Sequence, residues 1–177
     1  MHVQTLRLKD LLLIQPRVFA DERGFFFESY QRALFASAGV NVEFVQDNVS
    51  FSKKNVIRGL HYQETPGQAK LVSVMQGRIW DVAVDIRPSS LTFGQWEAVE
   101  LNDENHHQLF LPVGFAHGFC VLSEEAHVQY KVSALYDPAT ERTISWNDPA
   151  IGVRWPIHHP IISLRDRQGI SFSPGAM

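Results

Sequence analysis

Cysteine is nearly absent: Cys120 stands alone in 177 residues. A single thiol cannot close an internal disulfide, and it excludes a disulfide scaffold and a cysteine-built zinc site. Such usage fits a reducing cytoplasm. Positive charge is also scarce, with 16 Lys and Arg against 19 Asp and Glu for a net charge of -3. Bulk electrostatic attraction to nucleic acid is therefore disfavoured. No apolar run approaches the roughly 20 residues of a membrane span. The early run Leu11 to Ile14 is flanked by Lys9, Asp10, Gln15 and Arg17. It is too short for the core of a secretory signal, and no small-residue cleavage pattern follows. Ordinary glycine and proline usage, 11 and 9 residues, excludes collagen-like and low-complexity classes. Also missing are a glycine-rich phosphate loop, a Gly-x-Ser-x-Gly elbow and a dinucleotide fingerprint. What is present is apolar mass: 45% hydrophobic residues, with 12 Phe. That is enough for one sizeable core, so residues 1–177 are expected to form a single domain without linker or repeat.

The apolar pattern points to strands. Along Ile79 to Arg87, Trp80, Val82, Val84 and Ile86 alternate with Asp81, Ala83, Asp85 and Arg87. This is the period of a strand with one buried face. Pro88, Ser89 and Ser90 end it. Val128, Tyr130 and Val132 alternate in the same way with His127, Gln129, Lys131 and Ser133. Further strands are expected over Leu12–Phe19, Phe25–Tyr30, Leu71–Gln76, Gln95–Leu101, His107–Leu111 and Ala116–Leu122. One short helix is expected over Gln31–Ala38, ended by Gly39. Many short strands with frequent turns predict an all-β sandwich, barrel or jelly roll. The Pro-rich segment from Asn147 onward is expected to cover the outside as loops and short turns.

Five features could carry chemistry. The first is Arg58-Gly59-Leu60-His61-Tyr62-Gln63, after Gln46-Asp47-Asn48. A His near an Arg on a strand can act as a base near neutral pH, although most such His residues are ordinary half-buried side chains. A regular strand turns Arg58 and His61 to opposite faces. Both serve one site only if Gly59 marks a bulge. The second is Lys70, which shares a face with Val72 and Val74. There it is costly unless paired or used, or else it snorkels to water. The third is Pro112-x-Gly114-x-x-His117, half of the metal signature of cupins. The other half, His-x-His followed by Glu, is missing. The adjacent pairs His106-His107 and His158-His159 point apart in a strand, so no three-ligand metal site assembles. The fourth is Tyr130, a core aromatic or a proton donor. The fifth is Asp166, a loop charge unless it touches a His, whose tautomer it would then fix.

Together these stretches resemble the dTDP-4-dehydrorhamnose 3,5-epimerases from about Leu12 to Asp166. The resemblance is carried by Asp21 to Tyr30, Phe44 to Asn48, Asn55 to Gln63 and Asp81 to Arg87. Pro112 to Phe119, Tyr130-Lys131 and Trp146 to Pro149 complete it, in order and at compatible spacing. It implies a cupin-type jelly roll (a double-stranded β-helix) with no metal and no cofactor, working as a cytoplasmic homodimer. The implied substrate is a dTDP-linked 4-keto-6-deoxy sugar, epimerised at C3 and C5 on the way to dTDP-L-rhamnose. Neither nucleic acid nor membrane is an implied partner.

Position by position, the resemblance makes His61 the base, Asp166 its orienting carboxylate and Tyr130 the acid. Lys70 would stabilise the enolate oxygen. Arg58 and His117 would lie near the sugar and diphosphate, and Tyr136 would line the pocket. Arg23, Glu28, Gln46, Asn48, Glu141 and Arg165 would hold the nucleotide. Two departures stand out. The loop between His61 and Lys70 is one residue shorter than is common, which could shift Lys70, and Arg165 stands where the family also uses Lys. Competing readings are a single-carbon epimerase or ketoisomerase, a metal-dependent cupin oxygenase, and a non-catalytic nucleotide-sugar binding module.

Overall fold

A computed structural model describes residues 1–173. Its strands are β1 His2–Thr5, β2 Leu12–Gln15, β3 Phe19–Asp21, β4 Gly24–Phe26, β5 Gln46–Lys53, β6 Val56–Gln63 and β7 Lys70–Gln76. They continue as β8 Arg78–Asp85, β9 Trp96–Asn102, β10 Gln108–Leu111, β11 Phe115–Val121, β12 Glu125–Val132, β13 Glu141–Thr143 and β14 Ile161–Ile162. Two short helices, α1 Arg32–Ser37 and α2 Leu164–Arg167, complete the set. One sheet runs β1-β2-β10-β7-β12-β5 and the other β13-β6-β11-β8-β9, with β14 added in parallel to β6. The other pairings between these strands are antiparallel, and an isolated parallel bridge joins Ile144 to Ile170. Inward side chains of both sheets meet in one core: Val72, Val74, Leu109 and Val128 from the first, Ile79, Ala83, Leu101 and Phe119 from the second. This is the cupin-type jelly roll that the family resemblance implies.

The outer faces are covered as well. Helix α1 and the segment after it bury Phe35 and Val40 against Leu12, Ile14 and Leu71 of the first sheet. Gln31 caps α1 by accepting from the Leu34 N–H, and Gly39 continues the chain at φ +101, a conformation that favours glycine. The C-terminal segment lays Ile144, Ile151, Val153 and Trp155 on Val82, Val84 and Ile86 of the second sheet. Consequently β8 is buried on both faces from Val82 to Asp85, where alternation had predicted one. Fully buried Asp85 is satisfied by Arg87, Ser90 and Thr92, which close the turn after the strand.

Other differences have local causes. The strand expected over Leu12–Phe19 is two strands, because Pro16 has no N–H to give to a ladder. The strand expected over Phe25–Tyr30 stops pairing at Phe26. Strand β5 was not among the expected strands, and its polarity is inverted. Gln46, Asn48, Ser50 and Ser52 point inward, while Val49 and Phe51 are exposed. The segment after Asn147 is mostly loop, as expected, but it also holds β14 and α2.

Candidate active site

The inward faces that build the core also surround a cavity of about 390 Å³. Its walls come from both sheets: Gln46, Asn48 and Ser50 of β5, Lys70 of β7 and Tyr130 of β12 on one side, Arg58 and His61 of β6 with His117 and Phe119 of β11 on the other. This size suits a small-molecule site.

Gly59 is the reason Arg58 and His61 share it. Against β11, His61 pairs with His117 and Arg58 with Phe119, so β6 carries one extra residue across this step. That is a bulge, and it turns both side chains into the cavity. Gly59 has φ +120, and a Cβ there would lie 2.6 Å from the Gly118 Cα and the His117 carbonyl oxygen. Only glycine permits this approach of the two strands.

His61 and Asp166 meet across 105 residues, with Nε2 2.6 Å from Oδ1. Asp166 reaches this point from α2, whose Ser163 cap accepts from the Asp166 N–H. Asp166 is buried and also accepts from the Gly59 N–H at 3.4 Å. Burial alone would raise its carboxyl, but the hydrogen bonds from His61 and Gly59 hold it below the usual carboxylate range. With Nε2–H given to Asp166, Nδ1 of His61 carries the lone pair.

Lys70 is buried, and its Nζ donates to the His61 carbonyl at 3.3 Å. Burial pulls its ammonium down to about 8, opposed by the carboxylates of Glu141 and Asp81. The loop before it, short or not, leaves Lys70 in the cavity wall. Burial pushes the Tyr130 phenol up, with Arg58 opposing. Arg58 is held by the Ser52 hydroxyl at 2.9 Å and the Phe51 carbonyl at 3.0 Å. His117 gives Nε2 to both oxygens of Asp81, each at 3.0 Å.

At the rim, Arg165 pairs with Glu141 at 2.6 Å, and Gln46 donates to Asn48 while accepting from the Tyr136 N–H. All four line the cavity, as does half-exposed Tyr136. Arg23 and Glu28 do not. Arg23 sits exposed on the β3–β4 hairpin, paired with Asp21 at 2.6 Å, and Glu28 is exposed after it. Within one chain the structure therefore separates these two from the other expected site residues.

Ser50, Gln68, Phe119 and Asp81 were not anticipated. The first three line the cavity, and the Ser50 hydroxyl is buried without a partner among the described residues. The alternation Gln46, Asn48, Ser50 was the available signal, once β5 is read as a strand with a polar inner face. Among the described residues, no three His, Cys, Asp or Glu side chains are grouped to hold a metal ion.

The sequence profile of the dTDP-4-dehydrorhamnose 3,5-epimerase family matches residues 5–173. The enzyme of that name from Shigella flexneri is 51% identical over 174 residues, 97% of this chain and 96% of its own. A crystal structure of the Bacillus anthracis 3,5-epimerase, with TDP and PPi bound, superimposes with a TM-score of 0.94 at 45% identity, covering 97% of this chain and 99% of that one. A 3,5-epimerase from Legionella pneumophila, in complex with dTDP-4-keto-L-rhamnose, gives 0.93 at 44% identity, covering 96% and 92%. A family profile spanning residues 5–173, with relatives near one-half identical over nearly the full length of both chains, shows that this chain belongs to the dTDP-4-dehydrorhamnose 3,5-epimerase family.

Proposed function

We propose that this chain epimerises dTDP-4-dehydro-6-deoxy-D-glucose at C3 and C5, giving dTDP-4-dehydro-L-rhamnose for dTDP-L-rhamnose biosynthesis. Both carbons flank the C4 ketone, so their hydrogens are acidified by the carbonyl. His61 Nδ1 takes the proton from one carbon while Asp166 holds the opposite edge of the ring. The electron pair moves onto the C4 oxygen, where the Lys70 ammonium stabilises the enolate. Tyr130 then returns a proton to the other face of that carbon. Solvent removes the proton held by His61 and restores the one lost by Tyr130, so the net change is an isomerisation with no oxidant or reductant. The same cycle serves the second carbon.

One observation carries this reading: His61 and Tyr130 reach a single cavity from opposed sheets. A sugar ring between them has a base on one face and an acid on the other. A module that only binds nucleotide sugar has no use for that pair. Arg58 and His117 are placed to meet the diphosphate and sugar, and Arg suits the diphosphate because its planar fork grips anions bidentately. Gln46, Asn48, Tyr136, Glu141 and Arg165 take the nucleotide at the rim.

Arg23 and Glu28 complete the nucleotide site from the second subunit of a cytoplasmic homodimer. Support comes from the exposed Phe19, Phe25 and Phe26 beside them and from the edge strand β5, which exposes Val49 and Phe51. Sedimentation of the wild type is expected to give the dimer mass, and Arg23→Ala to weaken dTDP binding.

The activity is tested by incubating the protein with dTDP-4-dehydro-6-deoxyglucose in D₂O and following C3 and C5 by NMR. Deuterium at both carbons with the L-lyxo product, lost in His61→Ala, is expected. Deuterium at one carbon only would replace this reading by a single-carbon epimerase. No exchange in the wild type, with dTDP still bound, would leave a binding module.

A further inference from the structure

The adjacent histidines His106 and His107 of the β9–β10 turn take no part in the chemistry above, yet His106 touches the segment that carries Arg23 and Glu28. Hairpin β3–β4 is a two-stranded sheet of its own, and no third strand pairs with it among the described residues. A lone hairpin is marginally stable in water, so its side chains hold a fixed place only if it is anchored. Two anchors are visible. Phe25 and Phe27 fall on one side of an extended segment, their rings 6.1 Å apart. The His106 imidazole packs on both, at 4.4 Å from Phe25 and 4.9 Å from Phe27. From β10, buried Gln108 donates through Nε2 to the Ser29 carbonyl at 3.0 Å and to the Ser73 hydroxyl at 2.8 Å. Exposed Glu28 thus stands between an anchored ring and an anchored carbonyl.

His106 itself sits on a braced turn. Asn102 Oδ1 accepts from the Glu104 N–H at 3.0 Å and the Asn105 N–H at 2.6 Å. Asn105 Oδ1 accepts from the His107 N–H at 2.9 Å, and the His106 N–H donates to the Asn102 carbonyl at 3.1 Å. The turn joins β9 of one sheet to β10 of the other, so the body of the jelly roll carries the ring. His106 has φ +53, a left-handed conformation that His and Asn enter more readily than most residues.

We propose that His106 is a positioning residue for nucleotide binding: its ring, packed on Phe25 and Phe27, fixes the arm that presents Arg23 and Glu28 to the cavity of the second subunit. It touches no substrate, and its effect passes through the arm. The inference rests on the reading that Arg23 and Glu28 complete the partner's nucleotide site.

His106→Asn removes the ring and suits the backbone. Its dTDP affinity is expected to fall about tenfold, the order that two aromatic contacts supply, with KM raised in step and kcat at saturation within about twofold. Phe27→Leu is expected to do the same, and the double variant to lose no more than either single one, because both changes break one contact. Mixed dimers then assign the arm to its cavity. With His106→Asn and His61→Ala on one chain beside a wild-type partner, the one working cavity receives the altered arm, and a raised KM is expected. With the two changes on opposite chains, that cavity receives a native arm and keeps the wild-type KM.

Wild-type affinity in folded His106→Asn, multiplied losses in the double variant, or a raised KM in the second arrangement overturns the proposal. Equal loss of kcat and affinity overturns it too, since that marks a merely structural residue. Arg23→Ala separates this failure from failure of the reading beneath it. Weakened dTDP binding in Arg23→Ala but not in His106→Asn sinks the anchor alone. Full affinity in Arg23→Ala sinks the nucleotide-site reading and the role of the anchor with it.

Discussion

Replacing Asp166 by Asn changes one oxygen for one nitrogen at a buried position, yet it should nearly silence the site. In the native arrangement the Asp166 carboxylate faces His61 Nε2 at 2.6 Å and also accepts from Gly59. Both contacts ask Oδ to accept. An Asn keeps one acceptor for Gly59 and turns an NH₂ donor toward the imidazole. Nε2 must then accept, so the ring proton moves to Nδ1 and occupies the lone pair that the reaction needs. The general-base contribution is forfeited, about 10²–10⁴ in rate, or roughly 3–5 kcal/mol of barrier. The upper end is expected, because a wrong tautomer with intact geometry costs about 10⁴ in a comparable His–Asp system. Binding should survive, since Asp166 does not line the cavity. The assay pairs deuterium incorporation at C3 and C5, followed by NMR, with titration calorimetry against dTDP. A folded Asp166→Asn protein within tenfold of wild-type kcat would refute the tautomer argument. Parallel collapse of kcat and dTDP affinity would refute it too, by showing that Asp166 organises the whole pocket.

Further outcomes follow from the same geometry. Tyr130→Phe should retain wash-out of substrate deuterium at the first carbon yet slow completed epimerisation by about 10² or more; undiminished product would remove Tyr130 as the acid. The charged form of Lys70 is the active one, so kcat should fall as pH rises through about 8, and Lys70→Met should lose that limb along with most activity. Asp85 bears on stability: burial would raise its carboxyl, but Arg87, Ser90 and Thr92 hold it at about 2, below its ordinary 3.8. A depressed carboxyl stabilises the fold above about pH 4 and loses that contribution as pH falls through about 2, so Asp85→Asn should cost about 2 kcal/mol at pH 7 and almost nothing near pH 2. Denaturant titrations at the two pH values check the sign. Gly59→Ala should lower stability by roughly 2–4 kcal/mol and displace His61, since its Cβ meets Gly118 and the His117 carbonyl at 2.6 Å; an unchanged melting temperature would contradict the close approach.

Periodicity and composition by themselves determined much of this protein. Alternation placed β8 and β12, Gly39 marked the end of the helix, and the family resemblance singled out His61, Tyr130 and Lys70, which line one cavity, and Asp166, which contacts His61. Those signals are local: a pleat has a period of two, a glycine ends a helix within its last turn, and a motif is a short string. Decisions that depend on partners distant in the chain needed the tertiary structure. No strand was expected over β5, because its polar side faces inward to a cavity. Strand β8 looked half-exposed until residues from 144 onward were seen to cover its outer face. Whether Arg58 and His61 share a site was undecided from spacing, because a bulge at Gly59 exists only against the register of β11. Asp81 stayed hidden because alternation gave no reason for an acid to sit fully buried beside His117. Chain pattern fixes which side of an element is apolar, but what faces that side, and at what distance, is set by packing of segments up to 107 residues apart, such as Gly59 and Asp166.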